Sequence, residues 1–192
     1  SSTSELVTEL IQYYQDEVEL TSLEATTLYA GIVVDTKNFA VQTGVRTFDA
    51  AAYLRRCGAD PEIVRSIFSS DFATVRLKSS LLAKATIEDG VAMLDCGDLK
   101  ENATMLAAQL ADILINLNNV RASFTFYELA EKTVGISARS KGEVNVQRVM
   151  EVLGGGGHSN VAGAQLKGLT IEEAQEVVRK ALEEIPEEKE SE

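Results

Sequence analysis

The sequence predicts an α/β (α+β) chain: the C-terminal remnant of an open parallel-sheet domain, followed by a mixed-sheet domain. Three observations carry this. Residues 86–166 alternate strand-like runs with helical periodicity, residues 1–70 hold one strand-like run, Gly31-Ile32-Val33-Val34, among helices, and one strand cannot be a sheet. At 192 residues the chain suffices for one large domain or two small ones, each with a real core.

Taken in order, Ser2 and Glu5 stand in the S-x-x-E relation of a capping box, so a helix is expected from Glu5 to Tyr14. A chain that begins at a helix cap without a Met is expected to be cut from something longer. Leu23–Ala30 reads as a second short helix, and Gly31–Val34, apolar and β-branched, as a buried strand that ends at Asp35. Thr36–Arg46 reads as a polar loop. Thr47 is expected to cap a helix to Arg56, Gly58 to stop it, and Asp60-Pro61 to open another to Phe68. Ser69-Ser70-Asp71 marks the boundary: residues 1–70 form the first domain with its linker helix, 71–185 the second, and 186–192 an acidic tail.

In the second domain Asp71 is expected to cap a helix to Lys84. Thr86-Ile87-Glu88, Asp89-Gly90 and Val91–Leu94 read as a hairpin. Ala103, Leu106, Leu110, Ile113 and Leu117 recur at helical spacing. Val120–Tyr127 and Thr133–Ala138 read as strands, and Asn145 as the cap of a helix that buries Val146, Val149, Met150 and Leu153 and ends in four glycines. A strand near Ala164–Leu166 follows. Thr170-x-x-Glu173 opens an amphipathic helix that Pro186 stops.

Eighteen basic and thirty acidic side chains leave a net charge of -12, which argues against a grip on long duplex nucleic acid but not against a small nucleotide. The acidity is uneven. Residues 168–192 carry nine acidic and three basic groups, whereas residues 71–167 are close to neutral. No apolar run approaches a membrane span, and Cys57 and Cys96, far apart, suggest thiols in a reducing compartment. With His158 the only histidine, no multi-histidine metal site can be built from this chain alone.

The strongest local signal is Gly154-Gly155-Gly156-Gly157-His158 at the end of a helix. One glycine suffices for a helix C-cap, so the others need a further reason, such as backbone that closely approaches a phosphate. Arg139 and Ser140 at a strand end, and Asn145 at the helix start, place a guanidinium and polar groups nearby in sequence. Taken singly, each of these is also explained as a strand-end arginine, a hydroxyl or an ordinary cap. Asp35, at the end of its apolar run, reads as a turn residue or as a ligand for a hard cation. No Walker loop, strand-first dinucleotide fingerprint or nucleophile elbow is present.

Gly31-Ile-Val-Val-Asp35-Thr-Lys-Asn-Phe39 with Thr43-Gly-Val-Arg-Thr-Phe-Asp-Ala50 resembles the last motif of the DHH phosphoesterases. Gly135-Ile-Ser-Ala-Arg-Ser140, Val144-Asn145 and Gly154–His158 resemble the DHH-associated substrate domain. The wording is most similar to the C-terminal part of the GdpP-type cyclic-di-AMP phosphodiesterases, bacterial proteins anchored in the membrane with this region in the cytoplasm. The resemblance implies a phosphodiesterase with two Mn2+ ions that opens cyclic-di-AMP to the linear dinucleotide. Asp35 would be a metal ligand, and Arg139, Ser140, Asn145, Gly155, Gly156, Gly157 and His158 would contact substrate. The namesake Asp-His-His is absent, so this chain alone is expected to be inactive and not to retain the metals, and no catalytic residue is assigned.

Two other readings stay open: a DHH-type exonuclease or short-oligonucleotide hydrolase, and a stand-alone nucleotide-binding module. The expected partner is a cyclic dinucleotide or short oligonucleotide, with no membrane contact from this segment. Loss of the neighbours of the Gly31–Val34 strand would leave a face open to homodimerisation.

Overall fold

The computed structural model describes residues 2–14, 19–100, 102–129 and 132–185. The chain divides into two compact units, Ser1–Asp71 and Phe72–Glu192.

The first unit is helical throughout its described residues. Helix α1 (Thr3–Tyr13) is capped by Ser2, whose hydroxyl accepts from the Glu5 amide at 3.0 Å. Helix α2 (Ser22–Asp35) starts at a reciprocal capping box of Thr21 and Glu24 and runs without a break through Gly31–Val34. The strand predicted there is therefore the last turn of a 14-residue helix. The reason is periodicity over a longer window: Ala25, Ile32 and Thr36 are buried on one helical stripe, with Leu28 and Tyr29 partly buried between them. Gly31 lets α1 lie close, since a Cβ there would sit 2.1 Å from Ser4 Oγ. With no strand to expose, the reason given for homodimerisation falls away.

Helix α3 (Val45–Arg56) begins two residues before the predicted Thr47 cap. Thr47 instead lies in the first turn, where its hydroxyl accepts from the Gly44 amide at 3.0 Å and donates to buried Glu5 at 2.8 Å. Asp60 caps α4 (Pro61–Ile67) as predicted, accepting from the Glu62 and Ile63 amides. Ala25, Ile32, Ala50, Leu54 and Ala59 form the small core of this unit.

The second unit is built on a mixed six-stranded sheet, in line with the predicted α/β class. After helix α5 (Phe72–Leu82) come β1 (Thr86–Glu88) and β2 (Val91–Asp95), joined through Asp89 and Gly90, both at positive φ as a tight hairpin requires. Helix α6 (Ala103–Ile115) crosses over to β3 (Ala122–Leu129), which lies parallel to β2. Then follow β4 (Thr133–Ser140), α7 (Val146–Val152), β5 (Gly156–His158), β6 (Val161–Lys167) and α8 (Ile171–Glu184). The strand order is β1-β2-β3-β4-β6-β5. Strand β3 starts two residues later than predicted because Val120 is buried in the turn after α6. Thr170 and Glu173 form the predicted capping box on α8, while the predicted Pro186 stop and the acidic tail lie outside the described residues.

Strand alternation sorts side chains onto two faces. On the back, Met93, Phe124, Phe126, Ile136, Ala138, Ala162 and Ala164 pack against α7 and α8. On the front, Ala92, Leu94 and Tyr127 pack against α6 and α5. Ala107 and Ala111 keep α6 so close that Thr125 and Ser123 donate hydroxyl bonds to their carbonyls at 2.9 and 2.8 Å. Helix α6 packs on β3 and β4. Beyond it, on β6 and β5, Val161 and His158 of the front face are open to solvent.

Candidate functional site

The register decides which predicted residues meet. Arg139 of β4 pairs with Val161 of β6, and Val161 with His158 of β5, so these three form one row across the front face. Ser137, Gly163 and Gly156 form the next row. Arg139 and His158 are thus two strand spacings apart, roughly 10 Å. Two of the three residues in the row beside them are glycines. That row is a floor without side-chain bulk, bordered by a guanidinium and an imidazole. A hollow of about 430 Å³ extends along it, lined by Ser137, Gly155, Gly163, Gln165, Tyr127 and, from α6, Thr104.

The four glycines do different jobs. Gly154, at φ +76°, takes the left-handed conformation that closes α7. Gly155 and Gly157 lie against β6, where an added Cβ would come within 2.2 Å of the Gly163 carbonyl and 2.4 Å of the Val161 carbonyl. At Gly156 a Cβ would meet nothing within 4 Å, and its φ lies outside the left-handed range. The left-handed turn thus accounts for Gly154, and packing for Gly155 and Gly157. It leaves Gly156, paired with Gly163 at the hollow's edge, as the position where open backbone has no intramolecular reason.

The Arg139 side chain is only 13% exposed. Its Nε donates to Asp112 Oδ1 of α6 at 3.0 Å and its Nη1 to the Ala138 carbonyl at 3.0 Å, leaving Nη2 hydrogens for a ligand. His158 is exposed and makes no side-chain hydrogen bond among the described residues. Ser140 and Asn145 go elsewhere. Ser140 alternates to the back face, is 8% exposed, and its hydroxyl accepts from the Gly142 amide at 2.9 Å. Asn145 caps α7, accepting from the Arg148 amide at 3.3 Å, and lines a separate small cavity with Val91 and Leu182.

Asp35 belongs to the first unit, as the exposed last residue of α2. After it the buried Thr36 hydroxyl donates to the Ile32 carbonyl at 2.7 Å and accepts from the Phe39 amide at 3.0 Å. Lys37, Asn38 and Phe39 all have positive φ, a tight left-handed turn. Among the described residues no three His, Cys, Asp or Glu side chains converge. The donor set of the described residues therefore does not fit a two-manganese centre, to which Asp35 offers one ligand.

Sequence reasoning missed Asp112 and the strand at Gly156–His158. An acid in the last turn of a helix with no basic residue there was the available signal for the first, because the helix dipole disfavours it. Nothing local marked the second, since glycine is a poor strand former and pairing with β6 supplies the order.

Strands β2 to β6, with the glycines of the front face, lie within residues 91–185, which match the DHHA1 domain. Over 95% of its length the chain is 49% identical to the cyclic-di-AMP phosphodiesterase GdpP of Geobacillus thermodenitrificans. It is 46% identical, also over 95%, to the cyclic-di-AMP phosphodiesterase PdeA of Listeria monocytogenes. It spans 28% of the length of each. A solved structure of an exopolyphosphatase-related protein from Bacteroides fragilis superposes with a TM-score of 0.82 at 27% identity, covering 96% of this chain and 56% of that one. Among the described residues no helix is long and apolar enough to cross a membrane.

Proposed function

We propose that this chain carries the nucleotide-holding part of a phosphodiesterase that opens cyclic-di-AMP to the linear dinucleotide. Near-half identity to two cyclic-di-AMP phosphodiesterases supports the substrate, and the single structural observation behind it is the row Arg139–Val161–His158 beside the open backbone of Gly156. The Arg139 guanidinium and the His158 imidazole donate to non-bridging phosphate oxygens from either end of the row. Gly156 admits the phosphate or ribose to the sheet surface, and half-exposed Val161 offers an apolar contact between the two polar groups. Near-neutral charge in residues 71–167 suits one small dianion better than a long polyanion.

Asp35 would supply one ligand to a manganese centre, and no step of this reading runs through such a metal. This chain's residues hold and orient the phosphodiester. Ser140 and Asn145 act through the structure, by setting the turn after β4 and the start of α7.

Titration calorimetry tests the assignment. Charge-assisted hydrogen bonds of about 1.5–3 kcal/mol make Arg139→Ala and His158→Ala each weaken cyclic-di-AMP binding roughly ten- to a hundredfold. Binding that survives both substitutions unchanged places the site elsewhere. A short linear oligonucleotide is the second reading, because the row ends at β5, the sheet edge, where a chain can run off. Tighter binding of the linear dinucleotide than of the cyclic one would favour it.

A further inference from the structure

The carboxylate of Asp112 stands in an unfavourable place. It lies in the last turn of α6, where the helix dipole is negative, and that turn contains no basic residue. On the face of the sheet that α6 covers, its Oδ1 accepts from Arg139 Nε at 3.0 Å. The planar guanidinium is thereby held at Nε by Asp112 and at Nη1 by the Ala138 carbonyl, bonds that leave Nη2 unengaged, and Arg139 shares its front-face row with Val161 and His158. The side chain has several rotatable bonds, and ordering it for each encounter with an anion would cost affinity. Helix α6 is itself locked to the sheet by the Ser123 and Thr125 hydroxyl bonds, so Asp112 is carried on a rigid support.

We infer that Asp112 is a positioning residue: it fixes the Arg139 guanidinium for phosphate recognition and does not itself touch the ligand. This rests on the nucleotide-binding reading above. A carboxylate next to Arg139 could also act against binding, by neutralising the charge a phosphate would use, and the sign of its removal separates the two roles.

The experiment is a double-mutant cycle on this chain, read by calorimetry with cyclic-di-AMP. Asp112→Ala weakens binding about tenfold, within the range for coupled neighbours. The double variant Asp112→Ala/Arg139→Ala binds no more weakly than Arg139→Ala alone. Asp112→Asn, isosteric and still offering the Oδ1 acceptor, retains more affinity than Asp112→Ala. A structural role alone would leave one further signal unmoved: the Arg139 Nε–H resonance in a nitrogen-15 correlation spectrum, identified by its loss in Arg139→Lys, shifts in Asp112→Ala. Unchanged or tighter binding by Asp112→Ala, or losses that simply add in the double variant, overturn the inference. If Arg139→Ala itself leaves binding intact, the site reading fails and the inference falls with it. If Arg139→Ala weakens binding and Asp112→Ala does not, only the inference fails.

Discussion

Adjacent glycines 155 and 156 separate packing from recognition. At Gly155 a methyl group would meet the Gly163 carbonyl and Ala164, backbone that cannot step aside. Gly155→Ala is expected to destabilise the second unit by about 3 kcal/mol, seen as a lowered urea midpoint. Gly156→Ala meets nothing, so its stability stays within about 0.5 kcal/mol of the parent chain. Its methyl group stands in the front-face row with Gly163 and Ser137, and cyclic-di-AMP affinity is expected to fall; equal affinity in calorimetry would show that no ligand approaches there. The two thiols contrast in the same way. Cys96 is buried and beside Asp95, which together push its pKa up to about 12, while Cys57 is half-buried. Iodoacetamide at neutral pH is expected to label Cys57 and spare Cys96 in the folded chain, and mass spectrometry of tryptic peptides reads the difference.

Among the elements, α2 shows how a β-branched run is overruled. Its start is specified by the Thr21–Glu24 box and its far end by burial of Ile32 and Thr36, so Ile32, Val33 and Val34, three residues with strand propensity, continue a helix already begun. The Glu24 carboxylate accepts from the Thr21 hydroxyl and amide at 2.7 and 2.8 Å, and these bonds, the hydroxyl first, hold its pKa below the usual 4.5. A lowered folded-state pKa means that this contribution is present above the unfolded value and is lost as pH falls through the folded one. The start of α2 is therefore expected to loosen in acid, below the ordinary carboxylate range. Amide exchange at residues 24–26 measured against pH should show this in the parent chain, and Glu24→Gln should remove that pH dependence.

For the whole molecule, the donor inventory sets the limit on chemistry. Among the described residues Asp35 has no two further ligands near it, so this chain with Mn2+ is expected to bind cyclic-di-AMP without opening it. Ion-exchange chromatography after prolonged incubation checks that; accumulation of the linear dinucleotide would mean that the chain assembles a metal site of its own. The net charge of -12 also means less than it first suggests. Much of it belongs to residues 168–192, and the segment with the row and hollow is nearly neutral.

The capping box at Thr170 is legible in the amino-acid string because both partners of the bond lie within four residues, and the box at Thr21, absent from the expectations above, is equally local. The Asp89-Gly90 hairpin, the buried stripes of α6, α7 and α8, the mixed α/β class and the prominence of the glycine run were also legible, since local backbone preference and periodicity encode them. Three things were not legible. The helical state of Gly31–Val34 depended on packing against α1 and α3, which overrode local propensity. The row that joins Arg139 to His158 through Val161 depended on strand register, where a single residue of offset moves a side chain to the opposite face. The link from Asp112 to Arg139 spans 27 positions and exists only because α6 crosses the front of β4. The sequence by itself determined which residue types were available for binding an anion. Tertiary structure decided which of them share a surface, because face and row are properties of paired strands and not of any one segment.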